Sequence, residues 1–423
     1  MDRAYGRLLK TVEAHPLAIV VVAALLARLA VAITSFFVNG DYLIPDEGQY
    51  ITLAKTVVQG GTPEQWFPGY GQSLYDSVRA FIVPLIALFH IFGSSRFTGQ
   101  MFSVVVGTAV AGVTAAIALH FLRPAFAVFA GLVVAFTPSQ VLFSAVVLRE
   151  AHVWLGMACA GLGLVLLTSP GRRAAAGGLA LIAAGLLALA FLREQTLLAM
   201  AWALAIVVLF TPMPQRLPRI AAVLAVAALV PWIGGFGLAG WRSVSHTAPK
   251  LGETRAKLAT GANSAVVAPR PATPGGGSDA ESDSVGADVS RFPQGVLDSA
   301  IRPYPWESNS GIALLLARFE NIWWYLLYGL AGIGVAVSLR RRRARAVLQL
   351  PALVIAAVLA ISALTQGNLG TAFRHREQVL WALALCAGAG LQWLLTQSRW
   401  ARRPALGGLP PAVEAPVLQP HSG

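Results

Sequence analysis

LAIVVVAALLARLAVAITSFFV, residues 17–38, carries a single charge, Arg28, and the run Pro45-Asp46-Glu47-Gly48-Gln49-Tyr50 follows it closely. A helix rising about 1.5 Å per residue needs roughly 20 apolar residues to cross a hydrocarbon core of about 30 Å. Residues 17–38 meet that length, so Asp46 and Glu47 fall where a membrane protein meets water. Further apolar segments lie near residues 79–93, 97–120, 151–168, 174–192, 195–211, 220–239, 312–338, 347–365 and 377–396. The pattern is that of an all-α polytopic membrane protein.

Composition agrees. The chain is 56% hydrophobic and only 12% charged, with a mean hydropathy of +0.65, too apolar for a soluble domain of this length. The net charge of +13 comes mostly from arginines in short loops. It therefore points to membrane orientation and gives no reason to expect a nucleic-acid partner. Cys159 and Cys386 both sit inside apolar segments, which argues against a disulfide framework and against a redox role. The first apolar segment is long and leads into an acidic loop, so no cleavable signal pattern is expected.

The basic stretches Arg172-Arg173, Arg216 to Arg219, Arg340 to Arg345 and the tail with Arg399, Arg402 and Arg403 are all expected on the cytoplasmic side, together with Arg3, Arg7 and Lys10. Ten crossings satisfy that parity, with residues 125–148, interrupted by Pro138, as a non-spanning hairpin. The alternative is that 125–148 spans and 79–93 lies in the interface. The chain then divides into an N-terminal transmembrane module, 1–240, with an external first loop at 39–78; an external loop at 241–311; C-terminal helices at 312–396; and a cytoplasmic, disordered tail at 397–423. Within the second loop, residues 268–288 read as a Gly/Ser/Pro-rich linker. The flank Arg302-Pro303-Tyr304-Pro305-Trp306-Glu307 reads instead as an ordered lid or an interfacial aromatic anchor.

Three Arg-Glu pairs, Arg149-Glu150, Arg193-Glu194 and Arg376-Glu377, mark the outer ends of helices. The glutamates suit a helix N-terminus. The arginines oppose both the helix dipole and the positive-inside bias, so an anion is expected to compensate them. Arg374-His375-Arg376 is the densest group, and guanidinium forks hold phosphate oxygens bidentately. Arg28, inside the first span, is expected to meet a carboxylate or to reach a lipid phosphate.

Taken in order, Arg28, Asp46 to Tyr50 with Ala54, Phe92-Gly93 with Arg96, Pro138 to Ser144 before Arg149-Glu150, Arg193, and Arg374 to Arg376 resemble the GT-C membrane glycosyltransferases. The likeness is nearest to the family-39 and RgtA-like enzymes, related to the protein mannosyltransferases and the lipid A aminoarabinose transferase. It covers residues 17–211 and the last span. The resemblance implies a GT-C-like bundle of about 10–12 transmembrane helices, with short juxtamembrane helices on the first outer loop. It also implies inverting transfer from a polyprenyl-phosphate-linked sugar to a glycan, lipid or protein acceptor, on the outer face of a bacterial inner membrane. Asp46 takes the place of the catalytic base, with Glu47 second. Arg149, Arg193, Arg374, His375 and Arg376 become the donor phosphate-binding residues, and Tyr50, Trp306 and Glu307 the substrate-binding ones. Some relatives use a divalent cation such as Mg or Mn; Asp46 and Glu47 could supply ligands to one, and the metal stays open. The competing readings are a transporter or flippase for a lipid-linked or anionic substrate, and a polysaccharide polymerase or ligase.

Overall fold

A computed structural model of the chain describes residues 12–38, 42–233, 285–307, 312–340, 342–365 and 369–397. The described elements are α-helices with short 3-10 turns: α1 (Pro16–Val38), α2 (Pro45–Val58), α3 (Gly71–Ser77), α4 (Arg79–Phe92), α5 (Arg96–Leu119), α6 (Pro124–Phe136), α7 (Pro138–Ala145) and α8 (Glu150–Thr168), followed by α9 (Arg172–Ala190), α10 (Glu194–Phe210), α11 (Arg216–Ile233), α12 (Val285–Ile301), α13 (Ile312–Arg340), α14 (Arg342–Thr365), α15 (Leu369–Arg376) and α16 (Leu380–Gln397). Proline opens α2, α6 and α7 at a position where its missing N–H costs no hydrogen bond. Ser95 caps α5 by accepting from the Thr98 amide at 3.0 Å.

Among the described residues, seven helices are long and apolar enough to cross a membrane, or nine if each of two bent pairs is one span. The chain is a helical multi-pass membrane protein. Its exposed surface agrees: Leu26, Phe37, Val105, Phe210, Phe319 and Ile322 all point outward from their helices, a display that water would penalise and lipid does not. Small residues let the helices close up. A Cβ on Gly163 would lie 2.5 Å from the Gly178 carbonyl, and one on Gly334 would collide with the Cys386 carbonyl, so α8–α9 and α13–α16 pack backbone to backbone.

The polar contacts fix which helix ends lie together. At one end Arg96 meets Ser35 and Glu47, Val147 meets Glu47, and Arg149 meets Leu192. At the opposite end the Arg123 amide donates to Gln392 at 2.8 Å. Residues 124–145 therefore run from one end to the other. They form two helices bent by 56°, not a hairpin returning to its own side. Pro138 removes one N–H and bends the segment without reversing it. The α3–α4 pair is bent by 96°. The start of α4 donates from Ala80 to Phe191, and just beyond its far end Arg96 meets Glu47, so α4 begins and finishes at the Asp46 end.

The break between α6 and α7 is neutralised from both sides. Arg28, fully buried, donates to the Val134 and Ala135 carbonyls at 3.1 and 3.2 Å and to Ser144 Oγ at 2.8 Å. It thus caps the C-terminal carbonyls that the proline leaves unpaired. Its partners are carbonyls and a hydroxyl; neither a carboxylate nor a lipid phosphate is needed. Glu320 accepts from the Ser139 amide and hydroxyl, each at 2.7 Å, at the positive N-terminus of α7. Arg219 repeats the Arg28 device at the end of α8, donating to the Leu167 and Ser169 carbonyls.

The region expected to be a linker is helical at its end. α12 starts at Val285, inside the 268–288 stretch, because Val289, Phe292, Val296 and Leu297 continue an apolar helical spacing. Residues 268–284 and the tail from 398 lie outside the described residues.

Candidate functional site

Asp46 and Glu47 occupy the first turn of α2, and successive residues on a helix diverge by about 100°. That divergence gives them different surroundings. Glu47 is fully buried, takes a two-pronged contact from Arg96 (Nε 3.1 Å, Nη2 3.0 Å) and accepts the Val147 amide at 3.2 Å. Arg96 also reaches Ser35 Oγ and lies over the Tyr42 ring. Glu47 therefore ties α1, α2, α5 and the α7–α8 connection together. Asp46 points the other way and holds Arg374 Nη1 at 2.6 Å, with both side chains partly exposed. The two carboxylates do not converge on a common point, and no group of three or more metal-binding side chains occurs among the described residues.

A cavity of about 550 Å³ opens at this end, lined by Arg79, Arg149, Arg193, Glu194, Thr371 and His375 among others. Arg149 and Arg193 are the N-cap residues of α8 and α10. Arg149 donates to the Leu192 carbonyl at 2.9 Å, and Arg193 reaches Glu150 at 3.3 Å. Arg149 Nε and Arg193 Nη1 are buried without a hydrogen-bond partner among the described residues. Burial lowers the Arg193 guanidinium to about 10, Arg149 adding to that effect and Glu150 opposing it, so it remains a cation at neutral pH. Tyr50 is buried edge-on against Phe81. Burial pushes its phenol up, and the charges of Arg149, Glu150, Asp46 and Arg193 all act on it. The Asp46–Arg374 pair thus stands within electrostatic reach of the cavity arginines, and α15 carries Thr371 and His375 into the cavity wall on the same helix as Arg374.

Arg376 lies elsewhere. It is fully buried, sits over the Trp324 and Phe373 rings at 4.5 and 4.9 Å, and donates to the Ala300 and Arg302 carbonyls at 3.0 and 3.2 Å and to Asn321 Oδ1. It closes the C-terminus of α12 and is turned away from the cavity. Trp306 is exposed and Glu307 is engaged by Arg302 and the Tyr304 amide. Both belong to the turn after α12 and not to the cavity lining. Of the residues singled out in the sequence, Asp46, Tyr50, Arg149, Arg193, Arg374 and His375 come together, whereas Glu47 and Arg376 have separate tasks. Arg79 was missed. It opens the apolar segment 79–93 at the end that also holds Arg149 and Arg193, so the argument applied to those arginines would have found it. It pairs with Asp76, whose carboxyl is held below its usual value by hydrogen bonds from Arg79 and Gln72.

Neither the protein-family models nor the curated proteins compared with this chain match it.

Proposed function

We propose that the chain is a GT-C-like membrane glycosyltransferase that transfers a sugar from a polyprenyl-phosphate donor to an acceptor hydroxyl, with inversion, outside a bacterial inner membrane. The observation that carries this reading is the cavity lined by the N-cap arginines Arg149 and Arg193, with the Asp46–Arg374 pair held on neighbouring elements within their electrostatic reach. In this reading an acceptor oxygen attacks the anomeric carbon while Asp46 takes its proton. The bond from that carbon to the lipid phosphate oxygen breaks, and the phosphate keeps the electron pair. Arg149 and Arg193 would meet the developing charge as positioned, charge-assisted donors. Arg374 would hold the Asp46 carboxylate ionised and oriented, and Tyr50 would support the turn of α2 from beneath.

The topology fits the same reading. The seven long helices, the bent α6–α7 pair and the shorter apolar α10 and α14 make ten passes, with α4 dipping back to its own side. The cavity end then lies opposite Arg172-Arg173, Arg216 and Arg340, hence outside by the positive-inside rule. A broken helix inside a membrane also suits a transporter, where the free helix ends bind the cargo. Here those ends are occupied by Arg28 and Glu320, which favours the transferase.

The experiment is transfer in membrane vesicles supplied with a radiolabelled polyprenyl-phosphate sugar and envelope acceptors. Label should move into a new covalent product in the wild type and fail to move in Asp46→Asn at matched expression. Label crossing the membrane unchanged would replace the transferase with a flippase. A preassembled glycan joined to an acceptor would replace it with a ligase.

A further inference from the structure

The turn after α12 carries a feature the donor cavity does not use. Tyr304 and Trp306 stack with centroids 5.2 Å apart and ring planes within 1°. Trp306 is 77% exposed, so its outer indole face is open. The turn beneath is held from several directions. The Glu307 amide donates to the Tyr304 carbonyl at 2.9 Å, and the Tyr304 amide donates back to Glu307 Oε2 at 3.1 Å. Arg302 forks onto Glu307, and Arg318 donates twice to the Pro305 carbonyl, at 3.1 and 2.7 Å. Asn321 holds the Pro303 carbonyl. Arg376 holds the Arg302 carbonyl, and it lies two residues beyond Arg374 on the helix that supplies the cavity wall.

We infer that Trp306 and Tyr304 form a saccharide-binding platform for the acceptor glycan, on a turn tied through Arg376 to the helix that supplies the cavity wall; this rests on the transferase reading for its role as an acceptor subsite, though not for the binding itself. An indole face is a flat apolar plane with negative charge density, and the polarised C–H face of a pyranose is its natural complement. Stacking on one open face accommodates one sugar ring. Arg302 and Glu307 lie within the same turn and Arg318 reaches it from α13, placing charged groups where ring hydroxyls need partners. A membrane anchor requires only that the tryptophan be exposed. It has no use for a turn braced from α12, α13 and α15 at once, whereas a binding surface gains affinity when its residues are fixed in advance.

The test uses the full chain in nanodiscs of phosphatidylcholine and a panel of immobilised envelope oligosaccharides. Wild type should bind at least one of them, Trp306→Ala should bind about tenfold more weakly, and Trp306→Phe should fall between. Binding with no sugar transfer would keep the platform and remove the transferase. Transfer with unchanged binding and acceptor KM in Trp306→Ala would remove the platform and keep the transferase. As a check on the lipid alternative, the Trp306 fluorescence, taken as wild type minus Trp306→Phe, should resist quenching by brominated phosphatidylcholine. Strong quenching would make the pair a bilayer anchor, and failure of wild type to bind any saccharide would equally overturn the proposal.

Discussion

Arg376→Ala should destabilise the protein before it alters any chemistry, and Arg374→Ala should do the reverse. Arg376 serves three acceptors, the Ala300 and Arg302 carbonyls and the Asn321 amide oxygen, and it is fully buried over two aromatic rings. Each buried acceptor left without a donor costs about 1–3 kcal/mol. Because the three are neighbours, their costs do not add fully, and a total of about 3–5 kcal/mol is expected. Against a native stability of roughly 5–15 kcal/mol, that lowers the unfolding midpoint by about 5 °C for a chain of this length. Arg374 makes one ion pair that is partly exposed on both sides, and such a pair contributes at most about 1 kcal/mol. Cys386 is buried and Cys159 only half-buried, so in a Cys159→Ser background a thiol-reactive fluorophore reads unfolding at a fixed heating rate. If Arg376→Ala kept the wild-type midpoint while losing donor affinity, Arg376 would be a phosphate ligand and its assignment to the α12 terminus would be wrong.

Asp46→Asn should insert and fold normally and lose about 10²- to 10⁴-fold in transfer rate; near-normal turnover at matched expression removes Asp46 as the base. Glu47→Gln should cost about 3 kcal/mol by leaving the Arg96 charge short of its partner, read as a lower midpoint and poor yield; a fully stable variant that has lost only activity would return Glu47 to the chemistry. Gly163→Leu should prevent the α8–α9 contact and lower the yield of folded protein in detergent, and unchanged yield would show that the two helices can separate. The Glu307 brace should be sensitive to acid. Burial raises its carboxyl, but hydrogen bonds from Arg302 and the Tyr304 amide outweigh that and hold it below the usual value. Its contribution is therefore complete above an unfolded value of about 4.3 and is lost as pH falls through the depressed folded value. Saccharide binding at the platform should be flat from pH 5 to 8 and decline below about 4, and a decline near pH 6 would implicate a different group.

The helical membrane class was legible because apolar length alone decides it: residues 17–38 or 97–120 allow no other reading. The path of 125–148 was less legible. Pro138 announces a break, yet a bend and a reversal share that signal, and only the contact of Arg123 with Gln392 at one end and Val147 with Glu47 at the other distinguishes them. That arginines at helix ends would meet the acidic loop after the first span was readable from their departure from the positive-inside bias, and Arg374 does meet Asp46. Which of two adjacent carboxylates meets Arg374 and which is buried on Arg96 was not, because it depends on how α2 is rotated against α5, and Arg96, far away in sequence, takes part in that. Likewise Arg374 and Arg376 look equivalent in a basic triplet, but on α15 they point to different neighbours, one to Asp46 and one to the end of α12.

The buried arginines divide by the sign of the helix end they meet. Arg28, Arg219 and Arg376 each stand at a C-terminus, where the carbonyls of α6, α8 and α12 present partial negative charge and need donors. A guanidinium there is satisfied by the protein itself, and no ligand is called for. Arg149 and Arg193 stand at N-termini, where the backbone is already partially positive and the dipole opposes them. Glu150 offsets part of that, through one oxygen at 3.3 Å from Arg193, and one nitrogen of each arginine stays unpaired. Placing two cations against two helix N-termini costs stability, and folding alone gives no reason for it. An anion entering from the 550 Å³ cavity would reduce the conflict, since both arginines line that cavity. Under the proposed transferase reading, that cost would be offset by the donor phosphate, and most fully when its charge is greatest, as the bond to the sugar breaks.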